Sequence, residues 1–181
     1  MLRAAAFPNS RCMQVFKLTE ELVVAIVASV PYSLLVFYLV SLQGSFALFW
    51  LVYVVSISVS VSLAFLCAAA SPNLDVAGAA LPSYTSALLY FAGFLLTWEQ
   101  TPVYWQWFSV LTYLRYAWGA LMISQWEGTP DVIIFGSATV LEYYSLDGIN
   151  KWAWLGYELI FFAVFVFLTW VALVAVRHHR R

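Results

Sequence analysis

The chain has 181 residues, of which 64% are hydrophobic and only 9% are charged. An ordinary globular protein carries about 25% charged residues, so this composition argues against a soluble domain. The formal net charge of −1 says little by itself. We expect a lipid bilayer as the surroundings of the chain, and no nucleic acid as a partner.

The first part of the chain predicts a helical hairpin in the membrane. Residues 1–21 are mixed and polar, and we assign them to a cytoplasmic N-terminal segment. No Asp, Glu, Lys or Arg occurs from Leu22 to Leu74, whereas one crossing of a ~30 Å hydrocarbon core needs about 20 apolar residues. The run is long enough for two spans, which we place at about 22–42 and 46–70.

The second part predicts two further spans separated by a more polar segment. We place the third span at about 76–98 and the fourth at about 154–176. Between them, the apolar pieces 103–114 and 116–123 are each too short to cross, and the first is rich in Trp and Tyr. They predict a re-entrant or interfacial element inside the outer segment 99–153.

These elements define an all-α membrane protein with four transmembrane helices and a short re-entrant or interfacial element before the last span. The N-terminal segment and the C-terminal tail each carry three Lys or Arg residues, and such basic ends favour the cytoplasmic side. Four spans return the chain to its starting side. We therefore expect a multi-pass integral membrane protein with both termini in the cytoplasm.

Five ionisable residues lie near the predicted outer boundary. Glu99 ends the third span and Arg115 separates the two short apolar pieces, so they either form an ion pair or snorkel separately. Asp147 and Lys151 are four residues apart before the last span, a spacing that suits an ion pair at a helix start. Glu158 lies within the last predicted span. Either it has a role in a transport pathway, or it lies in the outer headgroup zone.

The sequence lacks the motifs of several chemistries. It has no Gly-x-x-x-x-Gly-Lys-Ser/Thr loop to cradle nucleotide phosphates, and no His-Glu-x-x-His or Cys-x-x-Cys motif. The two cysteines, Cys12 and Cys67, have neither metal-site nor disulfide-framework spacing. His178 and His179 fit a basic cytoplasmic stop better than a metal site. We therefore expect no catalytic residue, no metal and no ATPase site in this chain.

Several motifs in order resemble one family. Ala70-Ser71-Pro72-Asn73 and Phe91-Ala92-Gly93-Phe94-Leu95 resemble the stretch joining the fourth and fifth spans of the ABC-2 type transmembrane domain in the G subfamily of ABC transporters, the white and pleiotropic-drug-resistance type. Pro102–Trp107 and Leu114–Ala117 are similar to that family's re-entrant element. The resemblance covers about residues 15–181, so the four predicted spans match the family's third to sixth.

The resemblance implies that residues 22–181 form a partial ABC-2 type transmembrane domain. It implies ATP-driven export of lipophilic or amphipathic compounds, with ATP and Mg bound by a separate nucleotide-binding domain and no cofactor bound by this chain. It also implies a second membrane half, in a homodimer or a heterodimer. The alternative is a non-transporting membrane scaffold or a degenerate transporter fragment. A channel is disfavoured because residues 102–123 lack the acidic or Gly-rich pattern of a selectivity filter.

The resemblance also implies a substrate pathway. In this family the fifth spans of two halves line a central cavity, and a bulky apolar pair near their outer ends acts as a valve. The matching residues are Phe94 and Leu95, with Ser86, Leu89 and Tyr90 below them at helical spacing. The alternative interpretation is that these five residues only pack or face lipid, as apolar residues of any span do.

Overall fold

The computed structural model describes residues 10–128, 133–134 and 138–175, and these ranges contain seven helices and one short β-ladder. Strands β1 (Ile133–Ile134) and β2 (Ala138–Thr139) pair antiparallel over two residues each. The all-α class predicted from the sequence is confirmed. The helices are α1 (Ser10–Leu39), α2 (Phe46–Ala70), α3 (Leu74–Tyr90), α4 (Val103–Val110), α5 (Tyr113–Trp126), α6 (Val140–Tyr143) and α7 (Lys151–Ala175).

Three stretches of helix are long and apolar enough to cross a bilayer: Phe16–Leu39, Phe46–Ala70 and Lys151–Val174. They have 24, 25 and 24 residues, which exceeds the ~20 residues that one crossing requires. A helix satisfies its own backbone hydrogen bonds, so each stretch can lie in hydrocarbon. The protein is therefore an integral membrane protein.

The helix boundaries differ from the predicted spans where polar residues are also helical. Helix α1 begins at Ser10, well before the predicted start at 22, because polar residues also form helix and their polarity marks only the edge of the membrane. Pro31 lies inside α1 without ending it. Helix α2 has the same bounds as the second predicted span.

Helix α3 is shorter than the predicted third span. It ends at Tyr90 after 17 residues, which corresponds to about 25 Å of helix. Residues 91–102 continue without regular helix, and Gly93 has a φ of +93°. That left-handed backbone conformation suits glycine and ends helical geometry. The part of the prediction that extended the helix to Trp98 is wrong, because an apolar run does not reveal a positive φ.

The short helical element divides at a different residue from the one predicted. The break between α4 and α5 falls at Leu111 and Thr112, whereas the sequence suggested Arg115. Thr112 is extended, with φ −88° and ψ 108°, and its buried hydroxyl donates to the Phe108 carbonyl at 3.0 Å. Arg115 instead lies in the first turn of α5. Helix α5 packs against α2 and α7.

Helix α2 is the centre of the bundle, since it packs against α1, α3, α5 and α7. Its buried apolar side chains are Leu48, Val52, Val55, Val59 and Leu63. Ser56 and Ser60 share a neighbouring face, and the Ser60 and Tyr113 hydroxyls are hydrogen-bonded at 3.0 Å. Small side chains on this face let neighbouring helices approach.

Helices α5 and α7 meet at a glycine. A Cβ atom on Gly119 would lie 1.9 Å from Cζ3 of Trp154, a separation that real atoms do not reach. Trp154 is buried and also contacts Tyr116 edge-on, with ring centroids 5.4 Å apart. Glycine at position 119 is therefore required for this contact.

We expect Gly119→Ala to lower the free energy of unfolding by about 1–3 kcal/mol, the usual cost of overpacking. Gly156→Ala is the matched control, because nothing lies within 4 Å of its Cβ position, and it should be neutral or stabilising by up to ~1 kcal/mol. The measurement is thermal unfolding of both variants in lipid nanodiscs. Equal stability of the two variants would contradict this packing.

Candidate functional site

The five residues of the predicted pathway follow one another along the last turns of α3 and the non-helical turn after it. They are Ser86, Leu89, Tyr90, Phe94 and Leu95, and all are exposed. We call these residues the α3 surface. Leu88 and Ala92, which point away from it, are buried. The α3 surface is therefore the outer side of an element whose inner side is fixed in the core.

A glycine turn presents Phe94 and Leu95 at the end of the α3 surface. The Cβ position of Gly93 lies 3.4 Å from the ring of Trp118 in α5, so the turn rests on that indole. The Phe91 ring stacks on Trp105, with centroids 5.6 Å apart, and meets Phe108 edge-on at 5.1 Å. The turn is held from below by α4 and α5, and its tip is left uncovered.

The side chain of Arg115 also holds this turn in place. Its guanidinium carbon lies 4.2 Å from the centroid of the Trp98 ring, a cation–π contact. Its Nη1 donates to the Ser109 hydroxyl at 3.1 Å. Ser109 in turn donates to the carbonyl oxygen of Phe91 at 3.1 Å. A single side chain from α5 therefore connects α4 to both ends of the 91–98 turn.

The two predicted ion pairs are not the contacts that form in the described part of the chain. Arg115 stacks on Trp98 and bonds to Ser109, whereas Glu99 is exposed to the surroundings. Lys151 forms its salt bridge with Glu127, at the end of α5, and not with Asp147. Glu127 is 24 positions away in sequence, so local spacing gave no signal for this partner.

Glu158 lies in the interior of the bundle, between α7 and α2. It is fully buried and accepts a hydrogen bond from the Ser56 hydroxyl at 2.5 Å. It is seven residues into α7, or about 10 Å below the helix start. A charged carboxylate at the centre of a spanning helix costs about 2.5–3.5 kcal/mol or more. The pathway role and the location in the outer headgroup zone both stay predictions.

The described residues form no cluster suited to holding a metal ion. In the ranges that the structure describes, no three His, Cys, Asp or Glu side chains are placed to hold a metal ion. The basic tail with His178 and His179 lies outside those ranges. The described chain has an exposed, mostly apolar surface on α3, a turn held by Arg115, and spanning helices, which define a multi-pass membrane protein.

Comparison with known proteins gives the family. The sequence model of one family, described as ABC-2 type transporter, matches residues 7–126, which is more than half of the chain. The chain belongs to the ABC-2 type transporter family. Its relatives are G-family ABC transporters, so the family to which the motifs pointed is confirmed.

Three relatives illustrate the likeness. The ABC transporter ATP-binding protein/permease wht-1 of Caenorhabditis elegans is 30% identical over 59% of this chain and 16% of its own length. The G family member STR2 of Medicago truncatula is 24% identical over 66% of this chain and 16% of its own length. Protein white of Drosophila melanogaster is 38% identical over 38% of this chain and 10% of its own length. The chain thus spans less than a fifth of these relatives.

We expect Arg115→Lys to lower the free energy of unfolding by about 0.5–2 kcal/mol, since lysine lacks the planar group that lies over Trp98. Glu99→Gln, the matched control, should leave stability unchanged because the carboxylate is exposed and forms no salt bridge in the described chain. Thermal unfolding in nanodiscs measures both. If Glu99→Gln destabilised the protein as much as Arg115→Lys does, the two side chains would be acting as a pair.

Proposed function

We propose that this chain supplies a membrane half of an ATP-driven exporter of lipophilic or amphipathic compounds. ATP and Mg are bound by a nucleotide-binding domain outside this sequence, and a second membrane half, identical or related, completes the pathway. The single observation that carries the proposal is the α3 surface. Its residues are uncovered and mostly apolar, and they end in a turn that α4 and α5 hold in place. They lie on the element that the resemblance matches to the family's pathway helix.

Exposure alone does not distinguish the α3 surface, because α1 and α7 also expose many apolar side chains to lipid. The difference lies in the backbone. Residues 91–102 are not helical, and at membrane depth such backbone is stable only where protein or water satisfies its polar groups. A second membrane half, with a water-filled pathway between the two, would supply both.

The proposed pathway has a valve at its outer end. Phe94 and Leu95 are 59% and 47% exposed, and they follow Gly93, whose positive φ forms the turn that carries them. Ser86, Leu89 and Tyr90 continue the α3 surface along the helix and offer one hydroxyl, one aliphatic and one phenolic contact. This mixture suits an amphipathic cargo that has both an apolar body and a polar group.

We expect Phe94→Ala/Leu95→Ala to change ATP-dependent transport while leaving assembly intact. The assay is uptake of a fluorescent lipophilic amine into inverted vesicles that contain the chain together with a nucleotide-binding subunit. The matched control is Phe167→Ala/Leu168→Ala on α7, a pair of the same composition with 60% and 41% exposure. Unchanged transport in the first variant, at normal expression, returns Phe94 and Leu95 to the class of lipid-facing residues. If the wild type shows no ATP-dependent uptake and the double variant fails to assemble, the result favours the scaffold alternative.

We further propose that both termini are cytoplasmic, so that the α1–α2 connection is outside and the α2–α3 connection inside. In a chain whose natural cysteines are replaced by Ala, Ser45→Cys should react with an impermeant maleimide added to intact cells. Pro72→Cys should react only after permeabilisation. Both residues are exposed. The opposite labelling pattern would reverse the proposed orientation.

A further inference from the structure

The contact between α2 and α7 contains a carboxyl group that the proposed transport pathway does not use. Glu158 of α7 is fully buried, and the Ser56 hydroxyl of α2 donates to its Oε1 at 2.5 Å. Its second oxygen, Oε2, is buried and has no hydrogen-bond partner. Half of this carboxyl group is therefore bonded across the helix interface, and the other half is enclosed without a partner.

No cation neutralises this carboxyl group within the described chain. Two of the described basic residues are engaged elsewhere, Arg115 with Trp98 and Ser109 and Lys151 with Glu127. A third, Lys17 of α1, is exposed. An ionised carboxylate without a cation is disfavoured in an apolar interior, and such a group binds a proton instead.

We propose that Glu158 is a proton-binding site that couples the α2–α7 contact to pH. In the packed bundle the carboxyl group is neutral and shares a hydrogen bond with Ser56. Loss of the proton leaves a negative charge on this buried carboxylate, whose Oε2 has no hydrogen-bond partner. The packing of α2 against α7 then weakens.

The groups around Glu158 make it the proton carrier of this interface. Helix α2 contributes serines and no Asp, Glu, Lys, Arg or His; its Tyr53 stacks on Tyr32 of α1 instead. Helix α5 contributes Tyr113, whose hydroxyl is bonded to Ser60, Tyr116, whose hydroxyl donates to the Val110 carbonyl, and the engaged Arg115. The remaining helix that meets α7 is α1, whose Lys17, Glu20 and Glu21 lie near its start, towards the opposite side of the membrane.

The sign of the pH effect follows from where the proton is held. The packed state keeps a proton that the same side chain releases in water, so raising the pH disfavours the packed state. The wild-type chain in nanodiscs should lose a few degrees of melting temperature as the pH rises from about 6 to about 9. Glu158→Gln, which is neutral and of the same shape, should lack that pH dependence. Glu99→Gln, which removes an exposed carboxylate, should keep it.

A direct measurement of the proton uses infrared spectroscopy of the full chain in nanodiscs. At about pH 6, where ordinary carboxyl groups are ionised, the wild type should show the carbonyl band of a protonated carboxyl group, which should disappear as the pH rises. Glu158→Gln should lack the band. Ser56→Ala should shift its frequency, because the hydrogen bond is lost. Ser58→Ala should not, because that hydroxyl donates to the Val54 carbonyl of its own helix.

The wild-type titration keeps the proposal falsifiable even if Glu158→Gln does not fold. Absence of a protonated carboxyl band at about pH 6 in the folded wild type would overturn the proposal. A band that persists unchanged in folded Glu158→Gln, or one that ignores Ser56→Ala, would overturn it as well. None of these measurements depends on transport, so their outcome is separate from that of the proposed function.

Discussion

In hydrocarbon every backbone N–H and C=O must find a partner within the protein, and the rest of this structure depends on that constraint. Helices α2 and α7 meet it with their own backbone hydrogen bonds, and α1 does so except at Pro31, which has no N–H to donate. Helix α3 does not, because it ends at Tyr90 and continues into a non-helical turn. The Ser109 hydroxyl, itself bonded to Arg115, supplies part of what that turn needs by donating to the Phe91 carbonyl. The contacts of Arg115 with Trp98 and of Gly93 with Trp118 hold the turn in place without bonding to its backbone.

The same constraint explains why polar side chains are concentrated around α2. A hydroxyl on a spanning helix can bond to a carbonyl of its own helix, as Ser58 and Ser62 do, or to a neighbouring helix, as Ser56 does. Ser60 does both, since it donates to the Ser56 carbonyl and is also bonded to the Tyr113 hydroxyl. Bonds across helices in a membrane are each worth only about 0.6–2 kcal/mol, but they are directional. They orient α5 and α7 around α2, where apolar packing alone would allow rotation.

Hydropathy was sufficient to predict the all-α membrane class and the exact extent of α2, because lipid selects for long apolar helices. It could not predict the end of α3, which depends on the left-handed backbone of Gly93, nor the start of α1, where polar residues remain helical. The partners Lys151–Glu127 and Ser56–Glu158 are 24 and 102 residues apart, so no local spacing could reveal them. The family motifs selected the residues of the α3 surface, and the structure adds the Arg115 contacts that position it.

The central claim is that the α3 surface meets a second membrane half. The most direct test is double electron–electron resonance on the chain in nanodiscs, with one spin label per chain at Phe94→Cys or at Phe167→Cys and the natural cysteines replaced by Ala. The two sites have nearly equal exposure in one chain. We expect an interchain distance that is clearly shorter at position 94 than at position 167. No interchain signal at position 94, or a distance longer than that at position 167, would contradict it.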